Sequence, residues 1–329
     1  MVFKNILPYI FLAIVAMADF SFGAGRLAYF EVQAIGGYSA VDQKVLFYSM
    51  SPMDVMQKPG LGFDILQRFS GSASDWGLLA IQTHLAYDQE GENKIEPQLY
   101  NAYLKIKAGF ADIWLGHDRP AFGLSSYFDN HSLLLQTLSM NGFAYDRDWG
   151  LGLNRDLSWG DAAISLTSGS GMPLYFKGNY QFSARASRGV LSQDNYNAGF
   201  SASYGKPIET MGYHLMDDRP SEKYYFGADA TWLWNNFENR FEGIAERSAG
   251  QNIYGVFWRN TINLAAENRL KLEFQPTYLN YLTSDDLQLA AGLSYQITGD
   301  LTMRSMYNYD RFSDDHRVVL QLYWYHKIL

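Results

Sequence analysis

The feature that most constrains this chain is an alternation of apolar and polar side chains, sustained over segments of about a dozen residues. The last segment sorts its residues onto an apolar and a polar face: Val318, Leu320, Leu322 and Trp324 against Arg317, Gln321, Tyr323 and Tyr325. Val319 is the one aliphatic residue on the polar face. A soluble sandwich strand usually has about five or six residues, whereas a tilted strand crossing a membrane needs about nine to eleven. The pattern therefore predicts an all-β, transmembrane antiparallel β-barrel.

Turn residues divide the chain after its first residues into about sixteen such segments. Counts of about fourteen or eighteen also fit the pattern, and an even number is typical of single-chain bacterial barrels. The segments are 27–38, 60–69, 76–87, 97–107, 110–118, 149–158, 161–168, 180–188, 194–204, 223–234, 237–247, 252–264, 268–280, 286–297, 301–311 and 316–327.

The connections between these segments alternate in length. Tight ones lie at 107–110, 158–161, 235–236, 265–268 and 298–300, and long ones at 39–59, 119–148, 169–179 and 205–222. Short periplasmic turns alternating with longer outer loops are typical of outer-membrane barrels, and a soluble jelly roll shows no such order. No linker or charge block interrupts the chain. We therefore expect one barrel domain over residues 24–329.

The first residues have the order of a cleaved secretory signal. Lys4 precedes an apolar run at 6–15, and small residues follow at 16–18 and 21–23. We expect residues 1–23 to be removed after Gly23, with cleavage after Ala18 as the alternative. A buried first helix of a soluble domain is the competing interpretation. A signal followed by a barrel predicts a bacterial outer-membrane location.

Composition argues against several other classes of protein. No later stretch reaches the roughly 18 apolar residues of a membrane helix, and mean hydropathy is -0.21. The chain has no cysteine, which excludes disulfides, thiolate metal sites and c-type haem. A net charge of -8 without a basic stripe predicts no nucleic-acid partner. His214 near Asp217 and the acidic turn at 284–286 are weak metal candidates, so we expect no cofactor and no metal.

Alternation also assigns the two faces of each segment. In 223–234, Phe226 and Trp234 point outward, whereas Asp229 and Thr231 point inward. Serine, asparagine and glycine cannot fill a barrel of about sixteen strands, so we expect a water-filled lumen. Several cations share the inner face: Lys105, Arg185, Arg259, Arg269, Lys271, Arg304 and Arg317. They either pair locally with acids or form a basic ladder along which anions move.

The connection at 119–148 is far longer than an ordinary hairpin loop. Its apolar run at 133–138 favours burial over exposure to water. We expect this third loop to fold inward and narrow the lumen; the alternative is a cap or partner contact outside the barrel. The loop region also carries charged residues, namely Asp118, Asp129, Asp146, Arg147 and Asp148. Folded inward, the acids would face the cationic wall and create a transverse field, whereas on an outer loop they would be solvated.

Residues 99–124 resemble a hairpin of Gram-negative porins, most closely of the phosphate-selective branch. The stretch reads LYNAYLKIK, GFADIWLG and HDRPAFGL, a strand ending in glycine that leads through a basic residue into Pro-x-Phe-Gly-Leu. The resemblance implies a sixteen-stranded, usually trimeric pore whose third loop folds inward. It places Arg119 near the channel mouth or constriction, with residues 120–124 turning the loop inward.

We therefore expect a porin, in contact with outer-membrane lipid, that gives passive diffusion of small polar or ionic solutes through a water-filled barrel. Small residues on the first strand (Ala28, Ala34 and Gly36) are consistent with a homotrimer contact. No nucleophile motif accompanies His131 and Ser132, so we expect no enzyme. The alternative function is a structural barrel that sheathes or anchors a partner such as a periplasmic electron-transfer protein. Strand count and the position of the third loop discriminate the two.

Overall fold

The computed structural model describes residues 25–72, 74–248, 250–282 and 284–329, so the predicted signal 1–23 lies outside the described residues. The strands in these ranges are β1 Arg26–Ser39, β2 Lys44–Leu46, β3 Gly60–Ser70, β4 Asp75–Tyr87, β5 Ile95–Lys107, β6 Asp112–Asp118, β7 Asp148–Leu157, β8 Gly160–Thr167, β9 Tyr180–Arg188, β10 Tyr196–Lys206, β11 Glu209–Met211, β12 His214–Asp217, β13 Lys223–Trp234, β14 Phe237–Ser248, β15 Gln251–Leu264, β16 Leu270–Asn280, β17 Asp285–Gln296, β18 Leu301–Asp310 and β19 Asp315–Lys327. One α-helical turn (Leu191–Asp194) and three 3-10 turns (Leu124–Ser126, Leu138–Asn141 and Ala266–Asn268) complete the regular structure in these ranges. None of these helical segments is long and apolar enough to cross a membrane.

Sixteen strands form a closed antiparallel wall. Each of β1, β3 to β10 and β13 to β19 pairs with the next, and β19 pairs back to β1 over eleven residue pairs, from Tyr29 with Lys327 to Ser39 with Arg317. β2 pairs with the C-terminal end of β1, and β11 and β12 form a separate hairpin. The predicted fold and all sixteen predicted segments are confirmed, and the three short strands inside the long connections were missed.

The outer face of the wall is apolar and bears two aromatic girdles. On β10, Tyr196, Phe200 and Tyr204 are exposed while Asn197 and Ser201 are buried, as the alternation predicts. Tyrosines ring the end with the long loops (the long-loop end): Tyr38, Tyr180, Tyr204, Tyr224, Tyr254 and Tyr307. Tryptophan and phenylalanine ring the opposite, short-turn end: Trp76, Phe110, Trp159, Trp234 and Phe237. Such girdles are typical of barrels that contact both interfaces of a membrane.

The shortest strand of the wall is β6, which has seven residues. It ends at Asp118, because Pro120 has no N–H to continue the ladder. Pairing between β5 and β6 stops at Ala102 opposite His117, so residues 95–101 of β5 pair with β4 but have no strand on the β6 side. There the Tyr213 hydroxyl, from the β11–β12 hairpin, accepts from Leu99 N (2.6 Å) and donates to Leu99 O (2.8 Å). Next to Leu99, Tyr100 is an extra residue that no residue of β4 opposes. This β-bulge turns the Tyr100 side chain inward.

Candidate functional site

Loop 3, defined as residues 119–147 between β6 and β7, lies inside the barrel. Its apolar side chains pack against an apolar patch of the inner wall on β13 to β16. The buried cluster consists of Phe122, Leu124, Leu138, Phe143 and Ala144 from the loop with Tyr225, Ile244, Phe257 and Leu279 from the wall. The predicted inward folding of the third loop is therefore confirmed.

A second apolar cluster holds the same loop against the strands that close the barrel. Leu134 and Leu135 pack against four wall residues on β1, β17, β18 and β19: Ile35, Ala290, Met306 and Val319. Val319, the aliphatic exception on the polar face of the last strand, is fully buried in this contact. The exception in the sequence pattern thus marks where the loop docks.

Polar wall residues bind the loop backbone between the apolar contacts. Ser165 accepts a hydrogen bond from Ala121 N (2.9 Å), and Glu242 accepts one from Leu124 N (2.7 Å). Arg259, which is fully buried, donates to the carbonyl oxygens of Leu135 (3.0 Å) and Gln136 (3.2 Å). These donors and acceptors replace water along this part of the wall.

The lumen beside β8 to β10 is also filled. Arg185 donates to Asp229 (2.7 Å), and Ser183 donates to Ser203 (2.9 Å). All four side chains are buried. The sequence predicted that polar inner residues would be solvated, whereas here they bond to one another. A polar inner face therefore did not by itself identify the part of the lumen that loop 3 leaves open.

A cavity of about 300 Å³ remains on the opposite side, between loop 3 and the strands β3 to β7. Its lining is polar and carries both charges. The charged or titratable lining residues are Asp64, Lys105, Asp118, Arg119, Asp129 and His131, and Gln82, Asn101, Tyr103 and Asn154 add hydrogen-bonding groups. This cavity is the part of the lumen suited to polar solutes.

Charged residues of loop 3 form a cluster at the upper edge of this cavity. Asp129 pairs with Arg119 (2.6 Å), with His131 Nδ1 (3.1 Å) and with Arg147 (3.6 Å). Arg147 also pairs with Asp146 (3.0 Å). His131 Nε2 contacts the Tyr323 hydroxyl (3.2 Å) and lies 4.0 Å from Glu31, so the cluster also joins the loop to the wall.

The cluster shifts the ionisation of its own members. Burial alone would raise the pKa of Asp129, but His131, Arg147 and Arg119 outweigh it and hold this pKa well below the usual carboxyl value. Burial alone would lower the pKa of His131, yet Asp129 and Glu31 raise it above the ordinary histidine value. Both shifts favour the charged forms of the pair.

Tyr100 and Arg147 close the cavity toward the long-loop end. Arg147 is fully buried, its guanidinium lies 4.3 Å from the centre of the Tyr100 ring, and Nε donates to Asn101 (2.9 Å). The Tyr100 hydroxyl donates to Asp146 (2.8 Å). We call Tyr100, Asp129, His131, Asp146 and Arg147 the closing layer.

Loop 1, residues 40–59, covers the closing layer from the long-loop end. Gln57 donates to the carbonyl oxygens of Asn130 (3.1 Å) and His131 (2.8 Å), and Gln136 donates to Asp54 (3.1 Å). Buried Lys58 pairs with Glu96 (3.0 Å) and Asp88 (3.5 Å), which fixes loop 1 to the tops of β4 and β5. Above the layer, cavities of about 70 and 200 Å³ border loops 1 and 3.

The structure brings some of the sequence-predicted site residues together. Lys105, Asp118, Arg119 and Asp129 all line the 300 Å³ cavity. Asp146 belongs to the closing layer directly above it. Arg119, which the porin resemblance places at a constriction, lies where loop 3 borders the cavity.

Three other predicted site residues hold loops in place and do not line this cavity. Asp148 is fully buried and accepts backbone hydrogen bonds from residues 169–171, because β7 begins where the next long loop turns back. Arg259 binds the loop 3 backbone, as described above. Arg317 donates to the Met50 carbonyl of loop 1 and pairs with Asp315 (3.1 Å).

The remaining cations do not form the continuous ladder that the sequence allowed. Arg269 lies in the turn before β16, is half exposed and pairs with Glu267 (3.0 Å), because the strand begins one residue later than it. Lys271 and Arg304 both lie opposite Ser294 of β17. Arg304 donates to Gln321 (3.0 Å). These two form a short row near the short-turn end.

Sequence reasoning missed Tyr100, Gln57 and Tyr213 as members or supports of the site. The adjacent Leu99 and Tyr100 interrupt the strict alternation of β5, and this interruption was the available signal for a bulge. Gln57 and Tyr213 act through loops whose positions depend on distant contacts, and no local pattern marks them.

Solved structures with similar folds are outer-membrane barrels. A loop L8 deletion mutant of OmpT, an outer membrane protein of Vibrio cholerae, has a TM-score of 0.64 at 11% identity, covering 92% of this chain and 99% of that chain. An anion-selective porin from Comamonas acidovorans has a TM-score of 0.63 at 8% identity, covering 93% and 100%. Salmonella typhi OmpF in complex with daunomycin has a TM-score of 0.63 at 11% identity, covering 92% and 98%.

Identities this low show a shared fold. No family model matches the sequence, and no curated protein matches it.

Proposed function

We propose that this chain spans a bacterial outer membrane and acts as a porin for small polar or ionic solutes. The observation that carries the proposal is the asymmetric position of loop 3, which fills one side of the lumen and leaves a polar, charged cavity along β3 to β7. The apolar outer face with its two aromatic girdles supports the membrane location. The similarity in fold to known porins also supports it.

In this proposal solutes follow β3 to β7, where fixed polar groups replace part of their hydration. Lys105 and Arg119 attract anions, and Asp64 and Asp118 attract cations, so the charges across the cavity orient a passing solute. Tyr100 and Arg147 are buried, so a solute passes only when the closing layer and loop 1 move. The expected channel is therefore narrow and opens intermittently.

The resemblance to phosphate-selective porins extends the proposal to anions. Lys105 lines the cavity and has no ion pair or hydrogen bond with any other described residue, so its ammonium can bind an anion. We expect phosphate to reduce chloride current in the wild type, and Lys105→Gln to weaken that reduction. An equal effect of phosphate on both proteins would contradict the extension.

We further propose a homotrimer and no catalytic role. Ala34 and Gly36 lie on the outer face of β1, where small side chains permit close contact between copies. Light scattering in detergent tests the trimer, and a monomer would contradict it. Both ring nitrogens of His131 already face partners, Asp129 and Tyr323, which favours a structural role over activation of Ser132.

The alternative function, a sheath around a partner protein, is less compatible with this structure because loop 3 occupies the space a partner would need. Single-channel recording in planar bilayers separates the two functions. We expect discrete conductance steps, with a reversal potential in a salt gradient that reports ion preference. Arg247→Gln, at an exposed position outside the lumen, is the matched control and should leave both quantities unchanged. Absence of steps from folded protein would overturn the porin proposal.

A further inference from the structure

A groove of about 700 Å³ crosses the outer face of the barrel between β7 and β13. Its floor consists of alanines, and larger apolar side chains form its walls. The floor is Ala162, Ala184, Ala186 and Ala202, and the walls are Leu153, Ile164, Phe200 and Phe226. Ala186 pairs with Ala162 on β8 and with Phe200 on β10, so the depression continues across neighbouring strands.

Two exposed arginines lie at the short-turn end of this groove. Arg155 on β7 lines it and pairs across the strands with Ala162, while Arg188 on β9 pairs with Gly160. β8 lies between these two strands, so the Cα atoms are on the order of 10 Å apart. Gly160 and Ala162 leave the space between them free of large side chains. Both guanidinium groups can therefore reach one ligand group.

Neither arginine is neutralised within the protein. Some exposed arginines elsewhere pair with acids, as Arg219 does with Asp217 (2.7 Å) and Arg311 with Asp285 (2.8 Å). Arg155 and Arg188 have no ion pair or hydrogen bond with any residue in the described parts of the chain. Two unpaired cations beside an apolar groove are complementary to a molecule with an anionic head and an apolar tail.

We propose that this groove binds an anionic phospholipid of the periplasmic leaflet, with its phosphate between Arg155 and Arg188 and its acyl chain along the alanine floor. The proposal rests on the membrane location proposed above, in which the short turns face the periplasm. Trp159, exposed at the same end, is typical of the headgroup level. A second copy packed through the same groove would bring the arginines of both copies together, so charge complementarity favours the lipid.

Spin-label electron paramagnetic resonance on the full barrel in phosphatidylcholine vesicles tests the proposal. The measured quantity is the motionally restricted fraction of spin-labelled phosphatidylglycerol, compared with spin-labelled phosphatidylcholine. We expect the wild type to prefer phosphatidylglycerol by on the order of fivefold, and the Arg155→Gln/Arg188→Gln variant to lose that preference. Ala186→Phe fills the groove and should reduce the restricted fraction of both lipids.

Arg247→Gln is the matched control, because Arg247 is exposed at the long-loop end and also lacks an ion pair within the described ranges. It should keep the wild-type preference. An unchanged preference in the double variant, or an equal loss in the control, would overturn the proposal. So would light scattering that shows the wild type oligomeric and the groove variants monomeric, since the groove would then be a contact between copies. Conductance of the same samples reports separately on the porin function.

Discussion

One side of loop 3 packs against apolar residues of the barrel wall, and the other side faces polar and charged residues across a cavity. Toward β13 to β19 and β1, the loop presents leucine and phenylalanine side chains that are buried against apolar wall residues. Toward β3 to β7, it presents Arg119, Asp129 and His131 across a polar cavity of about 300 Å³. One segment thus belongs to a packed core on one side and lines an open cavity on the other. The difference shows that loop 3 fills one part of the lumen and leaves a polar cavity in another.

The packed side of loop 3 positions the side that lines the cavity. Burying a leucine or phenylalanine side chain stabilises by about 1.5–3 kcal/mol, whereas a partly exposed ion pair contributes about 1 kcal/mol or less. Apolar contacts therefore fix where loop 3 lies, and its charged residues line the cavity through which solutes pass in the proposed function. The predictions below test this division, beginning with the largest expected effect.

Removing the apolar anchor should release the loop. Leu134→Ala/Leu135→Ala removes two side chains that are almost fully buried, at a cost of about 2–5 kcal/mol each. We expect loop 3 to undock and single-channel conductance to rise several-fold. Leu133→Ala, in the same segment but only partly buried, is the control and should change conductance little. Equal conductance in the wild type and both variants would refute the claim that apolar contacts fix the position of loop 3.

Removing the hydrogen bonds from Arg259 to the loop 3 backbone should have a smaller effect of the same kind. Arg259→Met keeps the side-chain length but leaves the Leu135 carbonyl oxygen without its donor and the Gln136 carbonyl oxygen with Gln275 alone, at a cost of about 1.5–3 kcal/mol. We expect a lower denaturant midpoint and noisier open-channel current. Arg304→Met is the matched control, since Arg304 bonds Gln321 of the wall and not the loop. Equal denaturant midpoints and equal current noise in both variants would show that the Arg259 hydrogen bonds do not hold the loop.

Charge reversal should discriminate the two walls. Lys105→Glu places an acid in the cavity along β3 to β7 and should shift permeability toward cations by several-fold, which corresponds to about 1 kcal/mol. Lys271→Glu/Arg304→Glu alters the opposite wall and should shift it less. Reversal potentials in a salt gradient measure both. A larger shift from the double variant would restore the basic ladder as the route for anions.

The smallest expected effect is a pH dependence of loop docking. The raised pKa of His131 stabilises the folded protein fully below its ordinary value of about 6.5, and this contribution is lost as pH rises through the folded-state value. The lowered pKa of Asp129 acts oppositely, with stabilisation lost only under strongly acidic conditions. Wild-type stability should therefore fall as the pH rises above about 6.5, and His131→Gln should flatten that slope. Parallel slopes would place the titration elsewhere.

The sequence predicted the wall well because strand alternation is a local property. Segments such as 194–204 separate lipid-facing from inner residues whatever the rest of the chain does, and β10 follows that pattern. Strand ends were less accurate, since they depend on turn geometry. Arg269, predicted within a strand, lies in a turn for this reason.

The site was only partly predictable, because it depends on where loops dock. Lys105 and Arg119 follow from strand register and from the porin resemblance, respectively. Arg259 and Asp148 also lie on the inner face, yet their partners are backbone groups of loops that no local pattern positions. Val319 shows that an exception in the alternation carries information about such docking.

The bulged upper edge of β5 has a consequence for the mechanics of the wall. Elsewhere neighbouring strands are joined by repeated backbone hydrogen bonds. Between Ala102 and the long-loop end, the β6-facing edge of β5 instead depends on the Tyr213 hydroxyl at Leu99 and on packed side chains. Amide protons here should exchange with solvent sooner than those of β14 and β15, whose pairing is continuous over twelve residue pairs. The barrel would then lose strand pairing first beside the cavity, and in the proposed porin this local opening of the wall would be coupled to opening of the channel.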